Sequence, residues 1–290
     1  MTLYEVSAAD FTWADEDGPA GVLRRITALA DQHDQVSNLN EAALLALRHL
    51  GLHGARLFVS DEVGFGLLRA GELDLVVAPQ ARGNGHGTAL LGTLVADVET
   101  EVEAWSHVDH PAAGALARSF DFNRVRDLWV MGRDLSDADP SPTNSDVGLR
   151  RYRNSDLNQV VEINRLAFTD HPEQGSLTAA DFEQRMAESW FDADGLILAE
   201  LDSRVQGFHW TKIHPDGTGE VYVVAVRPEA AGRGIGAALT SAGLTHLRER
   251  GCTRVILYVD ADNSAAVGLY QRLGFTRTRG EAQYRRFSRG

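Results

Sequence analysis

The sequence is poor in cysteine and in long apolar runs, and both shortages exclude classes of protein. Cys252 is the single cysteine, so no internal disulfide can form, and no neighbouring base marks its thiol as a nucleophile. No apolar run reaches the roughly 18 residues that a membrane-spanning helix requires. The N-terminus also lacks the basic and apolar regions of a secretory signal. We therefore expect a cytoplasmic protein with no membrane partner.

Positive charge is scarce as well. The chain has 41 acidic residues and 28 basic ones, of which Lys212 is the single lysine, and its net charge is −13. This balance disfavours a nucleic-acid partner, because nucleic-acid binding requires a basic patch. Residues 1–140 carry 22 acidic and 10 basic side chains, whereas residues 141–290 carry 19 and 18. The more neutral second half is the better candidate for an anionic ligand, although a solvated acidic face also accounts for the first half.

A strand followed by a glycine-rich turn organises the second half of the chain. The apolar run over residues 221–226 is rich in valine, which predicts a buried strand, and Pro228 ends it. Gly232, Gly234 and Gly236 follow, and a helix begins among them. The backbone of such a loop can approach a ligand closely, and the first N–H groups of the helix attract phosphate.

This loop differs from two common phosphate-binding motifs. No Gly-Lys-Ser/Thr follows it, so it is not a P-loop. Its glycine spacing also differs from the Gly-x-Gly-x-x-Gly of dinucleotide-binding folds.

The same pattern occurs in the first half, displaced by 149 residues. A repeat at a period of about 150 residues predicts duplicated domains and not a solenoid. The polar, breaker-rich residues 136–145 predict the join between them. We expect an N-terminal domain over 1–138, a linker over 139–145 and a C-terminal domain over 146–290. In the repeat, Pro79 corresponds to Pro228, Gly85 to Gly234 and Gly87 to Gly236.

Apolar periodicity predicts an α/β fold in each half, with a mixed sheet and helices on both faces. In the first half it predicts helices over 19–32 and 37–50, three strands between 55 and 78, a helix ending near 100 and a strand near 102–107. In the second half it predicts strands over 148–152, 195–201, 205–213, 220–227 and 253–259, helices from 156 and over 179–189, 235–250 and 263–273, and a last β segment from 274.

The string Arg-Gly-Ile-Gly-Ala after Val-Arg-Pro resembles the pyrophosphate loop of the GNAT superfamily of acetyl-CoA-dependent N-acetyltransferases. The resemblance covers essentially the whole chain and implies two tandem GNAT acyl-CoA N-acyltransferase domains, with acetyl-CoA as co-substrate and no metal. Ala231 departs from the family, which usually has Gln or Arg there, so one phosphate contact is either lost or supplied by Arg233. The implied acetyl-CoA contacts in the second half are Val224, Ala225, Val226, Ala231, Gly232, Arg233, Gly234, Ile235, Gly236, Ala237, Asn263, Ser264, Ala265, Ala266, Val267 and Gly268. Those in the first half are Leu75, Val76, Val77, Gly83, Asn84, Gly85, His86, Gly87 and Thr88.

Two side chains of the second half match the catalytic groups of this superfamily. Tyr270 stands where the family has its usual general acid, and the reference pKa of a phenol, about 10, lies near that of a thiol. Glu220 lies four residues before Val224 on the strand that leads to the loop, where a carboxylate can take a proton from an attacking amine. Taken singly, either side chain could be an ordinary helix or strand residue; their combination beside the loop favours catalysis.

The first half lacks both groups when it is aligned on its own loop. Ala117 stands at the position of Tyr270, and Gly71 stands at the position of Glu220. Glu72 is adjacent, but neighbouring strand residues point to opposite faces. We therefore expect the N-terminal domain to have lost catalysis while its glycine loop still allows acetyl-CoA to bind.

Strings over residues 171–175, 208–215 and 257–263 narrow the resemblance to the mycothiol synthase family. Its members acetylate the cysteinyl amine of a cysteinyl-glucosaminyl-inositol. Carboxylates can hold such an ammonium group, and lysine and tyrosine can donate to sugar oxygens. The resemblance implies that the acceptor contacts are Glu41, Glu173, Lys212, Glu220 and Tyr258.

Two other functions remain open at this stage. One is acetylation of another amine, such as a protein N-terminus or an aminoglycoside. The other is a non-catalytic regulator that binds acyl-CoA, which the presence of Glu220 together with Tyr270 disfavours. The sequence is silent on oligomeric state, and a monomer is the working expectation.

Overall fold

A computed structural model describes residues 3–60, 63–135, 147–169, 171, 174–201 and 204–288. The chain divides into two compact units. Unit 1 consists of residues up to 128 together with 279–288, and unit 2 consists of residues 129–278. In the part of the chain that is described, no helix is long and apolar enough to cross a membrane.

Unit 1 is built on a sheet with the strand order β1-β2-β3-β4-β5-β12. All neighbours run antiparallel except β4 and β5, which are parallel. One buried cluster lies between the sheet and α1 and α2, and another lies beneath α3 and α4 on the opposite face. The elements are β1 (Tyr4–Glu5), α1 (Pro19–Asp34), α2 (Glu41–Leu50), β2 (Ala55–Ser60), β3 (Gly64–Arg69), β4 (Glu72–Val77), α3 (His86–Val95), β5 (Val102–Ser106), α4 (Pro111–Ser119), the start of β6 (Asn123–Asp134) and most of β12 (Thr276–Arg286).

Unit 2 has the strand order β6-β11-β10-β9-β8-β7. Again one pair, β10 and β11, is parallel, whereas β7 to β10 are successively antiparallel. The elements are the end of β6, β7 (Gly148–Arg151), α5 (Leu157–Ala167), α6 (Ala179–Met186), β8 (Leu196–Leu201), β9 (Arg204–Ile213), β10 (Gly219–Val226), α7 (Ile235–Glu249), β11 (Arg254–Asp260), α8 (Ser264–Arg272) and the start of β12. The predicted α/β fold with a mixed sheet is confirmed.

The compact units do not coincide with the two sequence copies at their ends. Residues 279–288 group with unit 1 because β12 pairs with β5 from Ala282 opposite Ser106 to Arg286 opposite Val102. Residues 129–135 group with unit 2. The linker predicted over 139–145 lies outside the described residues. The boundaries of the two duplicated domains, at 138 and 146, therefore remain a prediction.

A histidine in the core of unit 2 requires a glycine in α7. His209 is fully buried on β9, and its Nδ1–H donates to the carbonyl of Leu239 at 2.9 Å. Burial lowers the pKa of His209 to about 4, so the ring is neutral at physiological pH. A Cβ at Gly243 would lie 2.0 Å from Cε1 and 2.1 Å from Nδ1 of this ring. The helix can therefore lie on the sheet only if position 243 has no side chain.

We predict that Gly243→Ala destabilises the protein by about 1–3 kcal/mol, the usual effect of overpacking a core. The matched control is Gly92→Ala in α3, where the new Cβ would lie at an ordinary 3.5 Å from the ring of Phe120. That control gains about 0.5–1 kcal/mol from helix propensity. Urea unfolding of the two variants measures the difference, and equal stabilities would contradict the packing argument.

Candidate active site

The two parallel strands at the centre of unit 2 separate part of the way along their length. Paired positions run from Gly219 opposite Val255 to Val221 opposite Leu257, yet β10 continues to Val226 and β11 to Asp260. The separation begins where β10 contains a bulge, at which its register with β9 shifts. Beyond the bulge, the edge of β10 that faces β11 is free to bind an extended ligand through its backbone.

The bulge also turns two consecutive side chains to one face of the sheet. Tyr222 and Val223 both pack in the cluster beneath α5 and α6, whereas Val221 and Val224 pack beneath α7 and α8. In a regular strand, neighbours would alternate between the faces. Val224, Ala225 and Val226, the segment that we expected to contact acetyl-CoA, form the part of β10 beyond this point.

The glycine loops of the two units have the same backbone conformation. Gly232 and Gly234 have φ of 77° and 78°, and Gly83 and Gly85 have φ of 77° and 81°. Gly234 and Gly85 are the N-cap residues of α7 and α3, so each loop presents the free N–H groups of a helix N-terminus. This left-handed conformation is strained for any residue with a Cβ, which accounts for glycine at these four positions.

Ala231 occupies the loop position that is usually Gln or Arg, and Arg82 occupies it in unit 1. The backbone angles are nearly equal, with φ and ψ of −61° and 151° at Ala231 and −65° and 156° at Arg82. The guanidinium of Arg82 donates to both carboxylate oxygens of Asp34 at 2.7 Å, and it holds the pKa of Asp34 well below its usual range. The loop therefore keeps its conformation with or without a long side chain at this position.

Tyr270 lies on α8, packed edge-on against Phe275 with 5.8 Å between ring centroids. It is 9% exposed, and its hydroxyl forms no hydrogen bond with any described residue. Burial raises the pKa of Tyr270 to about 12, so the phenol remains protonated at physiological pH. The pKa of Tyr270 thus lies above the reference value of a phenol, about 10, and the hydroxyl remains a hydrogen-bond donor.

Glu220 lies on β10 with its side chain 8% exposed. Its Oε2 lies 2.6 Å from Nε2 of His214, a residue that follows β9. Lys212 of β9 is the register partner of Glu220, so the two side chains share one face of the sheet. Nζ of Lys212 lies 4.5 Å from the ring centroid of Trp190 and 5.1 Å from that of Tyr222. Lys212 is thus held over two aromatic rings and does not extend freely into solvent.

The other predicted acceptor contacts are less closely grouped. Tyr258 is 38% exposed on β11, two residues after the register partner of Glu220, Ile256, and therefore on the same face. Glu41 is the first residue of α2 in unit 1. Glu173 lies outside the described residues. The structure thus brings Lys212 and Glu220 of the predicted set together and places Tyr258 on the same face of the sheet.

Unit 1 contains a cavity of about 620 Å³ above its glycine loop. Like β10 and β11, its strands β4 and β5 are paired over only part of their length, at Glu72 opposite Glu103 and Leu73 opposite Ala104. Loop residues 83 and 85–88 line the cavity, as do Leu75, Val76 and Val77 of the predicted contacts. Asn84 neighbours the lining residues and donates to the carbonyls of Ala81 and Arg82.

A carboxyl group points into this cavity. Asp74 of β4 is 9% exposed, lines the cavity and receives no hydrogen bond from any described residue. Burial raises the pKa of Asp74 to about 7, against the opposing effect of His107. The carboxyl therefore titrates near physiological pH.

Strand pairing corrects the predicted match between Glu220 and Gly71. Glu220 pairs with Ile256, and Glu72 pairs with Glu103. Ile256 and Glu103 each precede the N-cap of the next helix by seven residues, so they are equivalent. Glu72 therefore occupies the position of Glu220. The loops align at a shift of 149 residues and the strands at 148, because β10 contains one bulge residue that β4 lacks.

Glu72 nevertheless differs from Glu220 in its surroundings. Its Oε2 lies 3.1 Å from Nη2 of Arg69, the residue opposite it across the hairpin. It does not line the cavity of unit 1, and Ala117 stands where unit 2 has Tyr270. Unit 1 thus retains a carboxylate at the base position but lacks the phenol.

Sequence reasoning missed three groups at these sites. They are His214, which contacts Glu220, Trp190, which contacts Lys212, and Asp74 in the unit 1 cavity. The contact of His214 could have been inferred from the sequence. His214 precedes Glu220 by six residues, and a tight turn between antiparallel strands brings two such positions side by side. Trp190 follows α6, and its contact could not have been inferred in this way.

Comparison with known proteins supports the resemblance to the GNAT superfamily. A model of the acetyltransferase (GNAT) family matches residues 157–275. Mycothiol acetyltransferase from Nocardioides sp. is 45% identical over 284 residues, covering 90% of this chain and 95% of that protein. Mycothiol acetyltransferase from Actinosynnema mirum is 42% identical over 294 residues, covering 95% and 99%.

Solved structures share the fold over the whole chain. A GCN5-related N-acetyltransferase from Sphaerobacter thermophilus is similar with a TM-score of 0.70 and 23% identity, covering 100% of this chain and 96% of that one. A tandem GNAT protein from the clavulanic acid biosynthesis pathway has a TM-score of 0.69 and 17% identity, covering 100% and 99%. At these identities the likeness concerns the fold alone.

We predict that Asp74→Asn stabilises the protein at pH 8.5 and has little effect near pH 3. The pKa of Asp74 in the folded protein, about 7, exceeds its ordinary value of 3.8. The protonated carboxyl therefore favours folding; this contribution is fully present below pH 3.8 and is lost progressively as pH rises from there through 7. Asparagine remains neutral, so the gain at high pH should be on the order of 2–4 kcal/mol.

Thermal unfolding across this pH range measures the effect. Asp97→Asn, which removes an exposed charge from the same unit, is the control and should shift stability little at either pH. A difference between Asp74→Asn and the unmodified protein that does not grow with pH would contradict the buried-carboxyl argument.

Proposed function

The chain belongs to the mycothiol acetyltransferase family of GNAT N-acetyltransferases, and from this premise we propose that unit 2 acetylates the cysteinyl amine of cysteinyl-glucosaminyl-inositol. Acetyl-CoA is the co-substrate, and the products are mycothiol and CoA. The observation that carries the proposal is the arrangement of unit 2. A buried carboxylate on β10, and a phenol on α8 that forms no hydrogen bond with any described residue, accompany the opened strand pair and the glycine loop.

Acetyl-CoA would bind with its pyrophosphate on the N–H groups at the start of α7 and its extended arm along β10. Gly232 and Gly234 shape the loop, and Asn263 caps α8, on which Tyr270 lies. The backbone N–H groups beyond the bulge then polarise the thioester carbonyl. Of the remaining predicted contacts in unit 2, Ala231 and Arg233 lie in the loop, residues 235–237 on α7 and residues 264–268 on α8.

The proposed reaction is direct transfer of the acetyl group from acetyl-CoA to the acceptor amine. Glu220 takes a proton from the acceptor ammonium, and the free amine attacks the thioester carbon. The C–N bond forms, the C–S bond breaks, and the acetyl group passes to nitrogen. Tyr270 donates a hydrogen bond to the sulfur as negative charge develops there. Nitrogen then loses its second proton to give the amide, and a proton passed to sulfur by the Tyr270 hydroxyl releases CoA as the thiol. Because burial raises the pKa of Tyr270 to about 12, the phenol is protonated when the C–S bond breaks.

The acceptor site follows from the charges on the same face of the sheet. Glu220 suits an ammonium group, whereas Lys212 and Tyr258 provide donors for hydroxyl oxygens. Trp190 and Tyr222 fix Lys212 in place, so less side-chain entropy is lost when it binds a sugar. Glu41 and Glu173 complete the proposed set of acceptor contacts, by family resemblance.

Unit 1 is proposed to bind acetyl-CoA without catalysing transfer. The support is its cavity of about 620 Å³, which lies above a glycine loop with the backbone angles of unit 2. Ala117 leaves no hydroxyl near the sulfur position, and Glu72 is paired with Arg69. These features favour a binding site over a second catalytic centre.

The function is tested by offering three amines: cysteinyl-glucosaminyl-inositol, a peptide N-terminus and an aminoglycoside. CoA release and the mass of the product should show the first as the preferred substrate. Glu220→Gln and Tyr270→Phe should each lower kcat by about 10²–10⁴-fold, the usual contribution of a general acid or base. Glu72→Gln, the equivalent change in unit 1, should leave kcat unaltered.

Three outcomes would overturn parts of this proposal. A preference for the peptide or the aminoglycoside would reassign the acceptor. Full turnover by Glu220→Gln or Tyr270→Phe would remove that side chain from the mechanism. Acetyl-CoA binding without turnover of any amine would indicate a regulator.

Calorimetric titration tests the proposal for unit 1. We predict two equivalents of acetyl-CoA per chain. Gly85→Val and Gly234→Val each place a β-branched residue in a left-handed conformation, so each should abolish one binding event. Gly234→Val should also abolish turnover, whereas Gly85→Val should retain it. A single equivalent in the unmodified protein, lost only in Gly234→Val, would show that unit 1 does not bind acetyl-CoA.

A further inference from the structure

His214 lies between the buried carboxylate of Glu220 and solvent. The side chain of Glu220 is 8% exposed and that of His214 is 31% exposed. Their closest atoms, Oε2 and Nε2, are 2.6 Å apart. A carboxylate removed from water requires a donor to offset the loss of hydration, and a bond of this length to a charged acceptor is strong.

The turn that carries His214 is well defined. The backbone N–H of His214 donates to Thr218 at 2.9 Å, and Gly217 donates to the carbonyl of His214 at 2.9 Å. The carboxylate of Asp216 accepts from the N–H of Thr218 at 2.9 Å and from its hydroxyl at 3.1 Å. Gly217 has φ of 83°, as a tight turn requires. The imidazole is therefore presented to Glu220 by a hydrogen-bonded turn.

The geometry assigns the tautomer in the resting state. An ionised carboxylate can only accept, so Nε2 carries the hydrogen and donates it to Oε2 of Glu220. The second carboxylate oxygen, Oε1, is then the one available to an incoming ammonium group. The bond to His214 restricts rotation of the carboxylate about its last torsion, which is otherwise broad.

We propose that His214 is a positioning residue for acetyl transfer: its Nε2–H holds the carboxylate of Glu220 oriented with Oε1 toward the acceptor amine. During the reaction the ammonium proton passes to Oε1, and the Nε2–H bond stays intact. This inference depends on the proposed function, because it gives His214 a role only if Glu220 is the base. The imidazole contacts Glu220 and interacts electrostatically with Asp216 in the turn, and Lys212 on β9 is the register partner of Glu220.

Two substitutions at position 214 test the role of the N–H group. His214→Leu keeps most of the bulk but removes the donor, and it should lower kcat by about 10–100-fold, the usual effect of losing a partner that orients a functional group. The KM for acetyl-CoA should stay within about twofold, because the loop and β10 are untouched. His214→Gln returns an N–H donor at the position of Nε2 and should recover kcat to within about threefold of the unmodified enzyme.

A double-mutant cycle shows whether His214 acts through Glu220. In the Glu220→Gln background the carboxylate is absent, so His214→Leu should cause no further loss of kcat. Multiplicative losses in the double variant, or full activity of His214→Leu, would overturn the proposal. Equal low activity of His214→Gln and His214→Leu would also overturn it.

The same series separates this inference from the proposed function. If Glu220→Gln retains full turnover, the base assignment fails and His214 has no carboxylate to position. If Glu220→Gln is impaired and His214→Leu is not, only the positioning role fails. Thermal unfolding checks that each variant folds, and His214→Ala replaces the leucine variant in every comparison if that variant does not.

Discussion

One additional residue in β10 is the constraint on which the site of unit 2 depends. The bulge between Val221 and Val223 ends the regular pairing of β10, and the parallel pairing with β11 stops at the same level. Because both strands continue, their edges part and leave backbone donors and acceptors facing a gap. Glu220 lies just before the bulge and the glycine loop lies just after the strand. The proposed base, the opening between the strands and the glycine loop are thus fixed by one stretch of chain.

Comparison of the two units distinguishes the features that depend on the backbone from those that depend on side chains. Unit 1 has the same left-handed glycines, a strand pair that also stops short and a cavity above the loop. These are properties of main-chain geometry, and they do not depend on the side chain at position 82 or 231. Unit 1 differs from unit 2 in the side chains at the two positions proposed to be catalytic. Ala117 replaces the phenol, and Glu72 is paired with Arg69. Binding and catalysis therefore rest on different parts of the same architecture.

Much of this could be predicted from the sequence, because glycine and proline spacing directly reports backbone conformation. The loops, the strands around them and the contrast between Tyr270 and Ala117 follow from that spacing. The bulge could not be predicted, since no residue type in β10 identifies it. Counting back from the loop therefore matched Glu220 with Gly71, one residue away from the true equivalent, Glu72. The contact of Trp190 with Lys212 and the burial of Asp74 could not be predicted for another reason. Both depend on tertiary packing between segments that are distant in the sequence.

Burial has opposite consequences for the two side chains of unit 2 that are proposed to be catalytic. It keeps Tyr270 protonated, which is the form in which a phenol can donate to a leaving thiolate. It also disfavours the charged form of any carboxylate, which is the form that a base requires. Asp74 illustrates that effect in unit 1, where a buried carboxyl without a donor has a pKa of about 7. Glu220 is equally buried but receives a hydrogen bond from His214. Desolvation alone keeps the phenol in its neutral form, whereas the buried carboxylate of Glu220 is accompanied by a donor that the turn between β9 and β10 supplies.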